Sequence, residues 1–397
     1  MNFSIDQVSF AQKRVLIRVD FNVPLNEARE VTDDTRIRAA LPTIKKVLND
    51  GGAAILMSHL GRPKGADPEL SMKHIAPKIA ELLGVKVHVA PDCIGDDALA
   101  VTNSMNFGEV ALLENLRFHK EETAGDEFFA GQLAEHGDVW INDAFGTAHR
   151  AHASTAVIAR FFPHDKYLGY VMENEIFNVN KVLHGSEKPV LAIVGGAKVS
   201  SKIVILEQLI SKVDHVLIGG GMAYTFIKAQ GGNVGNSLVE DEHLGDALSI
   251  IKAAEDAGVK IHLPIDTKVA DAFANDANTG VSSTGQIEEG WMGLDIGPKS
   301  IEYYSEVIQS CKTILWNGPM GVFEMSSFET GTKAVAQALV EATKNGAFTL
   351  IGGGDSVAAI NKYGFADDVS YVSTGGGAML EYLEGKVLPG IAAVAEE

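Results

Sequence analysis

Short apolar runs alternate with stretches of helical spacing along the whole chain. In the first half, 14–19, 53–58, 85–89, 110–113 and 139–142 read as strands, while 35–50 and 71–83 carry the i, i+3, i+4 recurrence of helices. In the second half the strand runs are 190–194, 215–218, 260–263, 313–316, 348–351 and 370–372, and helical spacing covers 241–257, 300–309 and 330–344. These strands are apolar on both faces and end in Gly or polar turns. That is the pattern of parallel strands covered by helices on both sides.

An amphipathic stretch, 173–183, ends at the helix-stop signal His184-Gly185-Ser186, and Lys188-Pro189 opens a fresh strand. The expected fold is therefore α/β, with two doubly wound parallel-sheet (Rossmann-like) lobes joined by a helix and a hinge. The expected boundaries are 1–172, a connecting helix at 173–185, and 186–388. No low-complexity linker or short repeat interrupts them. In such lobes ligands bind where the strands end.

Composition narrows the function. A chain of 397 residues, 46% hydrophobic, can build two cores and is not a disordered one. A net charge of −19 makes a poor nucleic-acid binder, because phosphate contacts need Lys and Arg, and no nucleic-acid partner is expected. The cations that exist are unevenly placed. Arg14, Arg18, Arg29, Arg36, Arg38, Arg62, Arg117, Arg150 and Arg160 are all the arginines, and none follows Arg160. Either Lys has replaced Arg by drift in the second half, or the first lobe gathers guanidinium groups around a small anion. Cys93 and Cys311 have no metal-ligand spacing and fit a reducing compartment. Residues 1–14 lack the apolar core of a signal peptide, and no run reaches the ~18 apolar residues that span a bilayer. A cytoplasmic protein without a membrane partner is expected.

Polar clusters stand just after strands in the first lobe. They are Arg18-Val19-Asp20-Phe21-Asn22-Val23-Pro24, His59-Leu60-Gly61-Arg62-Pro63, Leu113-Glu114-Asn115-Leu116-Arg117-Phe118 and Asp143-Ala144-Phe145-Gly146-Thr147-Ala148-His149-Arg150. Any one arginine could be a surface ion pair. Several at successive strand ends offer planar forks to carboxylate or phosphate. Arg36 and Arg38 open a helix, where a cation gains nothing from the dipole, so at least one has another purpose. His59, His149 and His152 carry no metal pattern, and no metal cage built from protein alone is expected.

The second lobe is marked by glycine loops. Gly195-Gly196-Ala197-Lys198-Val199-Ser200-Ser201-Lys202 follows a strand, and its two lysines would share one face if the segment were helical. Gly219-Gly220-Gly221, Gly352-Gly353-Gly354-Asp355-Ser356 and Thr374-Gly375-Gly376-Gly377 complete the set. They are either tight strand-to-helix turns or phosphate cradles at helix N-termini. Asp355 could carry Mg²⁺, which binds through one or two carboxylates plus phosphate oxygens. The Walker A pattern Gly-x-x-x-x-Gly-Lys-[Ser/Thr] and the dinucleotide pattern Gly-x-Gly-x-x-Gly are both missing.

Taken together, and with Trp316-Asn317-Gly318-Pro319 and Gly321-Val322-Phe323-Glu324, these motifs resemble the phosphoglycerate kinase family of bacterial type over essentially the whole chain. The resemblance implies reversible transfer from 1,3-bisphosphoglycerate to ADP, giving 3-phosphoglycerate and ATP, with Mg²⁺, in a monomer that closes about a hinge. It implies that Asp20, Phe21, Asn22, His59, Leu60, Gly61, Arg62, Arg117 and Arg150 hold the glycerate, and that Arg36 lies beside the phosphoryl group in flight. It assigns Lys202, Gly353, Gly354, Ser356 and Thr374 to the nucleotide phosphates, with Asn317 completing that side. Lys198 and Gly376 fall to the transferring group, and Asp355 to Mg²⁺. It gives Gly219, Gly220, Gly293, Leu294, Pro319 and Val322 to the adenine, and Glu324 to the ribose. It also implies that 389–397 returns to the first lobe.

The chemistry agrees with the lack of an evident general base. An ionised ADP oxygen attacks and a carboxylate leaves, so charge and positioning dominate. A non-catalytic two-lobed binder of small anions is the alternative, and an NAD-linked oxidoreductase lacks its glycine fingerprint.

Overall fold

The structure is a computed structural model that describes residues 4–395. The chain divides into two compact units. The first runs to Ile176 and resumes at Val387; the second is Phe177–Lys386.

The first unit holds a six-stranded sheet: β1 (Arg14–Val19), β2 (Ala53–Met57), β3 (Val87–Val89), β4 (Val110–Leu112), β5 (Val139–Asp143) and β6 (Lys166–Leu168), in the order β3-β4-β2-β1-β5-β6. Every pairing is parallel. Central strands of such a sheet are covered on both faces, and Val15 to Val19 are all fully buried. One face packs Ile17, Val19, Leu56 and Ile141 against Ile37, Ile44 and Val47 of the helix Thr35–Asn49. Burying each such side chain stabilises the fold by about 1.5–3 kcal/mol. Because the strands are parallel, Val19, Met57, Leu112 and Asp143 all end on one rim, where the polar clusters emerge. The three-residue edge strand β6 has too few residues to show a pattern in sequence.

The second unit contains β7 (Val190–Val194), β8 (His215–Ile218), β9 (Asn233–Val234), β10 (Lys260–His262), β11 (Asp266–Ala270), β12 (Thr279–Ser283), β13 (Gln286–Ile287), β14 (Met292–Ile296), β15 (Thr313–Asn317), β16 (Phe348–Ile351) and β17 (Tyr371–Val372). Its main sheet is parallel, in the order β10-β8-β7-β15-β16-β17. The chain winds outward in both directions from β7 and β15, so the glycine loops after β7, β8, β15, β16 and β17 share one rim.

A smaller antiparallel sheet, β12-β11-β14, was not expected. β12 reads Thr-Gly-Val-Ser-Ser and alternates between exposed and half-buried positions, so it lacks the doubly apolar signature that marks the parallel strands.

The connecting helix is Tyr170–Leu183, three residues longer at its start than the amphipathic spacing indicates. The division between units falls within it. Its first turn is tied to the first unit, where the Val171 N–H donates to Asp143 Oδ1 at 2.8 Å. Its last turns belong to the second, where Lys181 Nζ lies 4.1 Å from the Phe348 ring centre. The helix Pro389–Ala395 packs within the first unit. Asn142 Nδ2 donates to the Gly390 carbonyl at 2.9 Å, and the Gly390 N–H donates to Ala148 at 2.8 Å. Glu396 and Glu397 lie outside the described residues.

Candidate functional sites

On the first unit's rim, hydrogen bonds join the ends of β1, β2 and β4. Arg36, in the first turn of its helix, does not turn to its sequence neighbours Asp33 and Asp34. Its Nη1 donates to Asp20 Oδ2 at 3.0 Å and to the Asn22 carbonyl at 3.3 Å. Asn22 Oδ1 accepts from the Gly61 N–H at 2.8 Å, and the Gly61 carbonyl accepts from Arg117 Nη1 at 3.0 Å. The Phe21 N–H donates to Ser58 Oγ at 2.8 Å, fixing the loop after β1 against the end of β2. Arg62 and Arg117 line one cavity of about 570 Å³ with Lys64 and Lys120. Arg150 stands exposed beyond the turn Phe145–Thr147, its carbonyl accepting from Thr155 Oγ1 at 2.7 Å.

Beneath this rim lies a fully buried cation. Arg18 Nε donates to Ser154 Oγ at 2.8 Å, and its Nη2 lies 3.3 Å from His59 Nδ1. Ser154 passes the contact on, its Oγ donating to Glu122 Oε1 at 2.6 Å. A buried charge is tolerated only when it is paired and hydrogen-bonded, and the buried Glu122 carboxylate supplies the opposite sign. A guanidinium has donors only, so His59 Nδ1 must accept and the ring proton resides on Nε2. Burial, reinforced by Arg18, Arg117 and Arg36, holds the His59 imidazole well below its usual pKa. Burial, with Arg18, Arg117 and Arg150, brings His152 down to about 4. The rim therefore uses neutral imidazole beside its guanidinium groups.

Asn115 stands in a cluster that the sequence marks, but its own role is set by partners that the sequence does not show. It caps the turn Leu116–Phe118, accepting from the Arg117 N–H at 3.1 Å. It brackets Leu60 as well, accepting from its N–H at 3.3 Å and donating to its carbonyl at 2.8 Å. An Asn directly before a turn is a local signal, but its second partner lies 55 residues away.

The remaining arginines are engaged elsewhere. Arg38 forms a two-pronged pair with Asp34 at 2.8 and 2.9 Å, Arg29 pairs with Glu69 at 2.6 Å, and Arg160 with Glu127 at 3.2 Å. Arg14 bonds Asn103.

In the second unit a cavity of about 600 Å³ gathers Gly220, Gly293, Leu294, Pro319, Val322, Glu324 and Asp355 from four separate stretches of sequence. Tyr224, Asn236, Leu238, Phe273 and Met320 also line it and carried no signal in the sequence. Gly219 is not in the wall. A Cβ there would lie 2.3 Å from Met320 Sδ, so this glycine makes room for a wall residue. Gly293 does the same for Tyr224, whose hydroxyl would be 2.0 Å from a Cβ. The apolar faces of Leu294, Pro319 and Val322, with exposed Glu324 and Asp355 at the margin, suit a flat ring carrying a polar and anionic tail.

Three of the glycine loops reach this cavity, through Gly196, Gly220 with Gly221, and Asp355. The segment carrying Lys198 and Lys202 is not helical, and the helix begins only at Ile203. The two lysines therefore share no helical face. Gly196 has φ +116°, and Ser200 is drawn to Glu240, its N–H and Oγ donating at 2.9 and 2.6 Å. Lys202 Nζ donates to Asn317 Oδ1 at 2.5 Å, while Asn317 Nδ2 donates to the Gly352 carbonyl at 2.9 Å. Burial lowers the Lys202 pKa, and nearby Asp355 and Glu384 oppose that shift. Ser356 Oγ accepts from the Gly318 N–H at 2.5 Å. Gly353, with φ +88°, caps the helix Gly354–Lys362, which presents Asp355 in its first turn. Gly376 and Thr374 precede the helix Gly377–Leu383.

Comparison with known proteins matches this plan from end to end. The family model described as phosphoglycerate kinase covers residues 5–386. A phosphoglycerate kinase of Porphyromonas gingivalis is 55% identical over 98% of this chain and 99% of its own. One of Chloroherpeton thalassium is 56% identical over 99% and 98%. The solved structure of phosphoglycerate kinase from Coxiella burnetii superposes with a TM-score of 0.89 at 39% identity, over 99% of this chain and 98% of that one. Likeness so even across both units, in sequence and in fold, shows that the chain belongs to the phosphoglycerate kinase family, glycolytic phosphotransferases acting on phosphoglycerate and nucleotide.

Proposed function

We propose that this chain moves the acyl phosphate of 1,3-bisphosphoglycerate to ADP with a division of labour between its two rims. Asp20, Phe21, Asn22, His59, Leu60, Gly61, Arg62, Arg117 and Arg150 hold the glycerate. Gly220, Gly293, Leu294, Pro319 and Val322 hold the adenine, with Gly219 behind them and Glu324 at the ribose. The observation that carries this reading is the bonded series Arg36–Asp20, Arg36–Asn22, Asn22–Gly61 and Gly61–Arg117, which sets guanidinium groups at neighbouring strand ends.

The reaction needs no proton transfer. An ionised β-phosphate oxygen of ADP forms the new P–O bond, the bond to the acyl oxygen breaks, and a carboxylate leaves. What must be stabilised is charge on the transferring group. Arg36 and Lys198 supply cations there, and the N–H groups at Gly376 face the same task. Lys202, Asn317, Gly353, Gly354, Ser356 and Thr374 position the nucleotide phosphates. Hinge closure would bring the two substrates together and exclude the water that hydrolyses acyl phosphates.

Asp355 fits Mg²⁺. It is exposed, lines the nucleotide cavity and offers a single carboxylate, which is how Mg²⁺ is held when substrate phosphates complete its shell. When bound there it would neutralise phosphate charge. A monomer is proposed, and a cytoplasmic location, which the free thiols of Cys93 and Cys311 support. A coupled assay of ATP-dependent 3-phosphoglycerate phosphorylation, with and without Mg²⁺, tests the proposal. Tight binding of both substrates without turnover would favour a non-catalytic binder.

A further inference from the structure

Asp92, Cys93 and His119 meet where two neighbouring strands end. β3 and β4 pair in parallel up to Val89 and Leu112, so the loops that leave them run side by side. The first loop carries Asp92 and Cys93. The second makes the turn Leu116–Phe118 and then presents His119. Twenty-six residues of sequence separate the two halves, which is why local spacing gives no metal signal.

The three side chains form a set. Asp92 Oδ1 accepts from His119 Nε2 at 2.7 Å and from the Cys93 N–H at 2.6 Å. One ligand atom from each of the three lies within 4.8 Å of the others. An Asp–His ion pair explains the first contact but not a thiol close to both partners. Cys93 forms a fully buried floor, while the Asp92 and His119 side chains are 46% and 27% exposed, so the open side faces solvent. The surroundings hold the set in place. The His119 ring lies against Phe129 with centroids 5.3 Å apart. His136 bridges behind the loop, its Nε2 3.1 Å from the Cys93 carbonyl and its Nδ1 2.9 Å from Thr102 Oγ1.

We propose that Asp92, Cys93 and His119 bind a borderline-soft divalent transition ion of the Zn²⁺ class, with water as fourth ligand. Thiolate, imidazole and carboxylate together suit Zn²⁺ and its Co²⁺ analogue, whereas Mg²⁺ demands an all-oxygen shell. On binding, the Cys93 S–H bond breaks, its proton leaves to solvent and a metal–sulfur bond forms. The Asp92–His119 hydrogen bond gives way to two metal bonds: Nε2 releases the proton it donated to Asp92, and the neutral imidazole is left protonated on Nδ1. His119 follows Arg117 by two residues, so an ion here would pin the turn that carries Arg117. His119 also lines the 570 Å³ cavity of Arg62 and Arg117, so the site borders the proposed glycerate grip while sharing no ligand with it.

Co²⁺ alone, titrated into the full chain without nucleotide, is the probe. One equivalent should produce a thiolate-to-cobalt charge-transfer band that Zn²⁺ abolishes. Cys93→Ser should remove the band and Cys311→Ser should keep it. His119→Gln and Asp92→Asn should each weaken Co²⁺ binding by roughly tenfold or more. Asp92 is half exposed, so its variant serves even where a change at buried Cys93 disturbs folding. No thiolate band, a band that survives Cys93→Ser, or unchanged affinity in either His119→Gln or Asp92→Asn overturns the site.

Discussion

Arg36 and Asp20 are bonded across the rim, guanidinium Nη1 to carboxylate Oδ2 at 3.0 Å. Arg36 is about one-third exposed and Asp20 about one-eighth. The pair holds the Arg36 cation at the strand end, as the charge-stabilising role proposed for it would require. Arg36→Ala should lower kcat by roughly 10²–10³-fold with little change in KM for 3-phosphoglycerate. Arg38, two residues on, spends its fork on Asp34, and Arg38→Ala should leave kcat as it is. Steady-state kinetics of the two variants decide the matter, and a raised KM with normal kcat in Arg36→Ala would refute it.

Arg62 shares the 570 Å³ cavity with Arg117 but lies outside the Arg36–Asp20 series. Arg62→Ala should raise KM for 3-phosphoglycerate while KM for ATP stays put. Equal rises in both would point to a general loss of structure instead.

Gly353 has φ +88°, and a Cβ there would lie 2.4 Å from Asn317 Nδ2. Asn317 also accepts from Lys202. Gly353→Ala must therefore displace the side chain that positions Lys202, besides straining the backbone. The expected result is weaker nucleotide binding by calorimetry, with 3-phosphoglycerate affinity retained.

Asp355→Asn removes the carboxylate but keeps the shape. The Mg²⁺ concentration needed for half-maximal turnover should rise, since one carboxylate is the protein's whole share of the proposed shell. An unchanged Mg²⁺ dependence would move the metal elsewhere.

Asp143 is fully buried, and burial raises its pKa to about 7 despite hydrogen bonds from Thr43, Val171 and Met172. The folded state thus binds this proton more tightly than the unfolded chain, whose Asp titrates near ~3.9. The contribution to stability is complete below about pH 4 and is lost as pH rises towards 7. Asp143→Asn mimics the protonated form and keeps an acceptor for Val171. Its stability relative to the parent should be near equal at pH 4 and higher at pH 8, read from urea midpoints. A variant less stable than the parent at pH 8 would contradict this.

The two parallel sheets were legible because their strands are apolar on both faces and break at Gly. The antiparallel β12-β11-β14 was not, since Thr279–Ser283 is half polar and borrows its burial from neighbours. The rim motifs were legible as clusters of Arg, Asp and Gly, yet the sequence placed Arg36 beside Asp33 and Asp34, and folding gives it to Asp20. Likewise Lys198 and Lys202 suggested a shared helical face that Gly196 and the Ser200–Glu240 bonds prevent. Asn115, Tyr224 and Met320 act through partners distant in sequence, and no local pattern announces such a partner.

The helix Pro389–Ala395 bonds to Asn142 and Ala148, yet Phe177–Lys386 stands between them in the chain. A ribosome working at about 5–20 residues per second needs roughly ten to forty seconds to make that intervening stretch. Through this interval Asn142 and the turn leading to Arg150 wait for a neighbour that does not yet exist. The first unit can therefore gain its last helix only after the whole second unit has been synthesised.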